Sequence, residues 1–211
     1  MPRRLPIPPP RQLPWPLKPL ESAVTSLGYD RYRRMVMTIE HDVVAGLTPK
    51  MVEWWFRNIG GDIEIEGQVL NRYLAWHPFD HILWELANRL PDGFVGVGSR
   101  FHIVEAFGAN PDHYIDIVDE VVRLDQTGIT LVGRSLGIEV SRLTHDFIAA
   151  PGGTLYRSTL TIGVGLPGLG KLVNPVMHRT LFPEAKGRAW LRHNVEEVGL
   201  LEHIVPLIHP D

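Results

Sequence analysis

Near the C-terminus, His193 and Glu197 stand four residues apart in the segment His193-Asn194-Val195-Glu196-Glu197, which reads as helix. That spacing puts an imidazole and a carboxylate on one helix face, about one turn apart. The stripe through them also holds Ala189, Trp190, Leu200, Leu201 and Ile204, so the pair faces the apolar side. A polar pair aimed into a core is costly unless something satisfies it. A hydrogen bond within a pocket would do so, and so would a metal ion. Glu196 points to the helix flank, where Arg192 is its (i, i+4) partner, and is expected at the surface. Glu197 is the candidate ligand.

A second polar cluster is Tyr73-Leu74-Ala75-Trp76-His77-Pro78-Phe79-Asp80-His81. Pro78 lies at the start of any helix there. A short helix over 78–90, closed by Pro91-Asp92-Gly93, would make His81 its helical member. On residue types alone the cluster is open between a ligand site and the packing of an aromatic-rich edge. A third candidate is Glu105. Alternation in Phe101–Phe107 sets Phe101, Ile103, Glu105 and Phe107 on one strand face. Glu105 thus shares the more apolar side, where an unpaired carboxylate is costly; a solvated strand glutamate is the other reading.

These residues need elements to position them. Thr48 as cap, Pro49 at the first helical position and Gly60-Gly61 as terminator predict a short helix over 47–59. Four runs rich in Val, Ile, Thr and aromatics follow, at 94–107, 113–124, 129–147 and 154–164, with turn signals between them. Long strands with short connections predict an antiparallel meander. A loop with Pro167, Gly168 and Gly170 leads to a C-terminal helix from about Pro183 to His203. Gly187 and Gly199 each weaken that helix by about 1 kcal/mol relative to Ala, so burial must support it. The expected architecture is α+β: a curved antiparallel sheet wrapped around one long helix, a helix-grip fold with a cavity between the two. Residues 1–20 carry Pro2, Pro6, Pro8, Pro9, Pro10, Pro14, Pro16 and Pro19. They are expected as an arm over a single domain at 21–211 or as a tail, with docking at a homodimer interface as the alternative.

Composition narrows the function classes. A net charge of −3 gives no electrostatic case for nucleic acid or an anionic membrane. The absence of cysteine removes disulfides, thiolate metal sites and cysteine nucleophiles, so any metal must be held by His, Asp, Glu or backbone. It is also compatible with a cytoplasmic protein, and no apolar run approaches the ~20 residues of a membrane span. The stretch Gly165–Lys171 nearly spells a phosphate-binding loop. Leu172 replaces the magnesium-binding hydroxyl, and Pro175 is expected to interrupt the helix that should follow. There is no His-Glu-x-x-His pair.

Taken together, Tyr-x-x-Trp-His-Pro-x-Asp-His at 73–81 and the far-downstream His-Asn-x-Glu-Glu at 193–197 resemble the diacetylphloroglucinol hydrolase family, which includes phloretin hydrolase. Thr48-Pro49-Lys50-Met51-Val52-Glu53-Trp54-Trp55-Phe56 is similar to that family's Thr-Pro-x-Met-x-x-Trp-Trp-Phe helix. The resemblance runs from about residue 40 to 205. It implies a Bet v 1-like helix-grip fold and a zinc ion held by His81, Glu105, His193 and Glu197, with Glu120 as the alternative to Glu105. It implies hydrolysis of the carbon–carbon bond between an acyl group and a phenolic, phloroglucinol-like ring. Tyr73 would stand at the substrate phenol, and His145 and Tyr156 would match other pocket residues by position. This chain is shorter than the diacetylphloroglucinol enzymes, so its pocket walls are expected to be rebuilt around a small aromatic, polyketide-like substrate. The competing expectation is a non-catalytic helix-grip carrier of a small apolar or polyketide ligand.

Overall fold

Pairing between alternating apolar runs dominates the fold. The structure, a computed structural model, describes residues 4–91 and 93–210; Pro2 of the arm and Asp92 of the expected turn lie outside them. In chain order the elements are β1 (Val24–Tyr29), β2 (Met35–Glu40), β3 (Val44–Ala45), α1 (Pro49–Arg57), β4 (Asp62–Ile65), β5 (Gln68–Asn71), α2 (Arg72–Trp76), β6 (His81–Leu86), β7 (Arg100–Ala106), β8 (Tyr114–Asp125), β9 (Gly128–Ser135), β10 (Ile138–Ala150), β11 (Gly153–Ile162), α3 (Leu169–Thr180) and α4 (Glu184–Ile208). The main sheet runs β1-β2-β11-β10-β9-β8-β7-β6, with β3 also pairing β11; β4 and β5 form a separate hairpin. Every pairing is antiparallel. Bulges at His81/Leu83, Val121/Arg123 and Glu139/Ser141 bend the sheet. The sheet wraps around α4, whose buried stripe includes Trp190, His193, Glu197, Leu200, Leu201 and Ile204. This is the Bet v 1-like helix-grip architecture, α+β in class.

The two glycines of α4 are explained by what they approach. A Cβ at Gly187 would stand 2.9 Å from Met35 Sδ and 3.0 Å from Met37 Sδ. One at Gly199 would stand 2.7 Å from Lys18 Cγ. Close approach to sheet and arm replaces the helix propensity these positions give up.

The arm lies over the domain. Leu13, Trp15 and Leu17 pack against the main core, and Trp15 stacks on His203 at 5.2 Å. The Arg11 guanidinium donates to the carbonyls of Pro78 and His81 at 3.3 and 3.1 Å, which braces the strand start that carries His81.

Several expectations need correction. The helix expected over 78–90 is β6, and His81 lies on a strand. The residues Arg72–Trp76 just upstream form the helix instead, capped by Asn71, whose side chain accepts from Leu74 N–H. Pairing of Leu83–Leu86 with β7 overrides the helical spacing. The run at 129–147 is two strands, because Leu136 and Gly137 both adopt positive φ in a tight turn. Helix α3 continues through Pro175 rather than breaking there. Its buried Asn174 anchors it, bonding Val164 N–H, Val164 C=O and Tyr32 C=O. Strands β1, β2 and β3 and the β4–β5 hairpin had no counterpart in the sequence reading. Helix α1 keeps its expected cap, with Thr48 Oγ1 accepting from Met51 N–H at 3.3 Å. No helix among the described residues is long and apolar enough to cross a membrane.

Candidate metal centre

Register brings the expected ligands together. His81 on β6 is the direct cross-strand partner of Glu105 on β7, and α4 lays His193 and Glu197 over them. His81 Nε2 lies 3.4 Å from Glu105 Oε1 and 3.4 Å from Glu197 Oε2. His193 Nε2 lies 3.7 Å from Glu105 Oε2 and 3.7 Å from Glu197 Oε2. Tetrahedral zinc with bonds of about 2.0–2.1 Å spaces its donors about 3.3–3.4 Å apart. Donor atoms of His81, Glu105 and His193 fall within 4.8 Å of one another. All four side chains are buried.

The outer atoms of both histidines are already committed. Nδ1 of His81 donates to the Tyr73 carbonyl at 2.6 Å, and the ring stacks on Tyr73 at 3.9 Å. Its Nε2 is therefore the unprotonated nitrogen, and that atom is buried with no hydrogen-bond partner among the described residues. A lone pair facing two carboxylates is an arrangement that a cation between them could satisfy. Nδ1 of His193 pairs with Asp80 Oδ2 at 2.9 Å, and Asp80 also accepts from the N–H groups of Gly108 and Ala109. A carboxylate or carbonyl behind each histidine is how metal-binding imidazoles are oriented. Glu105 accepts from the Tyr73 hydroxyl, and Glu197 accepts from Asn194 Nδ2 at 2.5 Å. Two imidazoles and two carboxylates suit zinc, iron or manganese.

The charges within the nest oppose one another. Burial pushes His81 down to about 3. Burial also pulls His193 down, but Glu105, Glu197 and Asp80 outweigh it and lift the ring to about 9. Burial raises the Glu197 carboxyl. For Asp80, burial works upward, but His193, His77 and the Gly108 N–H hold it well below the carboxylate range. Carboxylates that favour a proton on His193 in this way would equally favour a divalent cation in its place.

The nest opens on a cavity of about 140 Å³ between the inner sheet face and α4, with mostly apolar walls that include Phe56, Trp76, Phe101, Leu143 and Trp190. A dry apolar cavity of about 150 Å³ holds one benzene ring. Tyr73, Glu105, His145, His193 and Glu197 line it. His145 is held neutral, pushed down to about 3 by burial, and its Nδ1 meets Ser158 Oγ at 2.9 Å. Ser158 also bonds His41 Nε2 at 3.0 Å. Tyr156 is buried behind the wall, and its hydroxyl has no hydrogen-bond partner among the described residues.

Glu120, the alternative ligand, lies away from the site, paired with Arg134 at 2.5 Å. Glu196 is not simply a surface residue. Besides Arg192 at 2.9 Å it reaches His77 Nε2 at 3.2 Å, and His77 stacks on His193 at 4.5 Å. The supporting roles of Asp80, His77 and Asn194 were not assigned from sequence, although all three lie within the two motif blocks. The alternation that singled out Glu105 would also have found Asp119, an inward residue of β8.

Neither protein-family models nor curated protein sequences give a significant match to this chain. The fold has many relatives among solved structures. The di-domain ARO/CYC BexL from the BE-7585A biosynthetic pathway superposes with a TM-score of 0.50 at 12% identity, over 88% of this chain and 50% of that one. The conserved protein of unknown function EF2215 from Enterococcus faecalis gives 0.48 at 10% identity, over 85% and 77%. CalU16 from Micromonospora echinospora gives 0.45 at 11% identity, over 90% and 78%. At such identities the likeness speaks for the fold alone. The chain is a helix-grip domain with a ligand-sized cavity.

Proposed function

We propose that this chain is a zinc-dependent hydrolase that cleaves the carbon–carbon bond between an acyl group and a phenolic ring, in the manner of the diacetylphloroglucinol and phloretin hydrolases it resembles. One observation carries the reading. Two imidazole nitrogens and two carboxylates converge at the wall of a ring-sized apolar cavity, and both histidines are oriented from behind. When bound, the metal supplies Lewis acidity to the acyl carbonyl and to water.

The chain's own residues handle the rest. In the balanced reaction the aryl–acyl bond breaks, hydroxide from water goes to the acyl carbon, and a proton goes to the ring carbon. Tyr73 Oη, hydrogen-bonded to Glu105 and facing the cavity, is placed to meet a phenol and exchange its proton. His145, a neutral ring in the cavity wall with Nδ1 paired to Ser158 Oγ, is placed to hydrogen-bond a ring hydroxyl. The aromatic walls hold the ring and exclude water. Tyr156 supports His145 by packing, with ring centroids 5.1 Å apart.

The apolar walls also favour a second reading, a carrier that binds a small polyketide-like ligand without turnover. The deciding experiment is metal quantification on the wild type and on Glu197→Ala, followed by an acylphenol cleavage screen with and without chelator. The hydrolase reading expects stoichiometric metal, lost in Glu197→Ala, and cleavage that stops on chelation. Ligand binding with neither metal nor turnover would identify a carrier.

A further inference from the structure

The cavity has a second polar station that the metal chemistry does not use. Asp119 of β8 and Ser141 of β10 both line it. Asp119 is 5% exposed, and neither side chain has a hydrogen-bond partner among the described residues. A carboxyl so deep in an apolar wall is costly unless something in the cavity answers it.

Backbone register places the pair. Asp119 lies opposite Phe101 on one side and Gly133 on the other, and Ser141 also pairs with Gly133. A Cβ at Gly133 would collide with Asp119 Oδ1 and Ser141 Oγ, so the glycine is the notch in which both oxygens sit. The bulge at Glu139/Ser141 falls at the same point. Ile115 is the residue of β8 opposite Glu105. Asp119 is four residues further along, about 13 Å at strand rise. A single ring bearing an acyl carbonyl at one end and a hydroxyl at the other, with a polar contact at each, spans a comparable length.

We infer that Asp119, with Ser141, forms a specificity subsite that hydrogen-bonds a ring hydroxyl of the ligand at the end of the cavity away from the metal ligands. The inference rests on reading the cavity as the substrate pocket of the metal centre. Burial, aided by the charge of Glu105, pushes the Asp119 carboxyl up to about 7. Near neutrality it can therefore both donate to and accept from a phenol. Asp119 has no hydrogen-bond partner among the described residues, so its removal orphans none of them.

The test compares 4-hydroxyacetophenone with acetophenone, following quenching of the cavity tryptophans in wild type, Asp119→Leu and Asp119→Ala, each with and without chelator. The wild type should prefer the hydroxylated probe by about tenfold or more, and both variants should lose that preference while keeping the wild-type metal content. An unchanged preference in the variants overturns the subsite, as does failure of the wild type to bind either probe at millimolar concentration. A preference that depends on Asp119 in a protein without metal would retain the subsite and remove the metal reading. Metal-dependent cleavage with no role for Asp119 would do the reverse.

Discussion

Asp80 Oδ2 lies 2.9 Å from Nδ1 of His193, while the same carboxylate takes two backbone N–H groups from the turn after β7. The contact sets which nitrogen of His193 faces Glu105 and Glu197. Asp80→Asn should therefore weaken metal binding by about 10–100-fold without removing a ligand. Competition against a chromogenic chelator measures this. Unchanged affinity would show that α4 alone orients the ring.

Metal binding should also be visible as stability. A metal at about 1,000 times its Kd adds about 4 kcal/mol to the folded state. For a chain of this size that is a rise in Tm of about 8–16 °C. Thermal unfolding with and without chelator should show a shift of this order in the wild type and almost none in Glu197→Gln. An equal shift in both proteins would place the metal elsewhere.

His41 and His145 meet at Ser158 and are each pushed down to about 3, chiefly by burial. Asn194 opposes the shift at His41 while Lys18 adds to it; at His145, His41 and Arg123 add to it. Both folded pKa values lie below the unfolded value of about 6.5. Between those limits the unfolded chain takes up protons that the folded chain refuses. Stability from these groups is thus complete above pH 6.5 and falls as pH drops toward 3, by up to about 1.4 kcal/mol per pH unit for each ring. Asp119 acts in the opposite sense, since its raised pKa favours the folded state at lower pH. Urea unfolding of chelated wild type and His145→Asn at pH 7.5, 6.5 and 5.5 isolates the histidine contribution as a difference in slope. Parallel pH profiles would refute the assignment.

Gly187→Ala offers a check on packing. Helix propensity alone would make it stabilising by about 1 kcal/mol. The new methyl would stand 2.9–3.1 Å from Met35, Met37 and Leu27, and overpacking of this kind costs about 1–3 kcal/mol. Chemical denaturation should show net destabilisation, whereas a gain would mean that the two methionines move aside freely.

The sheet-and-helix architecture was legible because long β-branched runs with short turns, followed by one amphipathic helix, admit few arrangements. The α4 pair was legible from its apolar neighbours. His81 stood out as a candidate ligand but was expected on a helix, because Pro78 and four-residue spacing mimic a helix start. Only the pairing of β6 with β7 reveals the strand, and that pairing is non-local. Asp80 and Asn194 could not receive roles from sequence, since supporting a ligand from behind depends on which atom of the imidazole is already taken. Asp119 was readable by alternation, but a lone acidic residue in a strand has no local signature of a ligand-facing group.

Gly187 and Gly199 lie six residues before and after His193, one seated against β1 and β2 and the other against Lys18 of the arm. Helix α4 is therefore clamped at two points like a beam, with His193 and Glu197 in the span between them. Rotation or axial sliding would have to unseat both ends at once. The pitch of His193 and Glu197 toward Glu105 is thus set by two residues that have no side chains of their own.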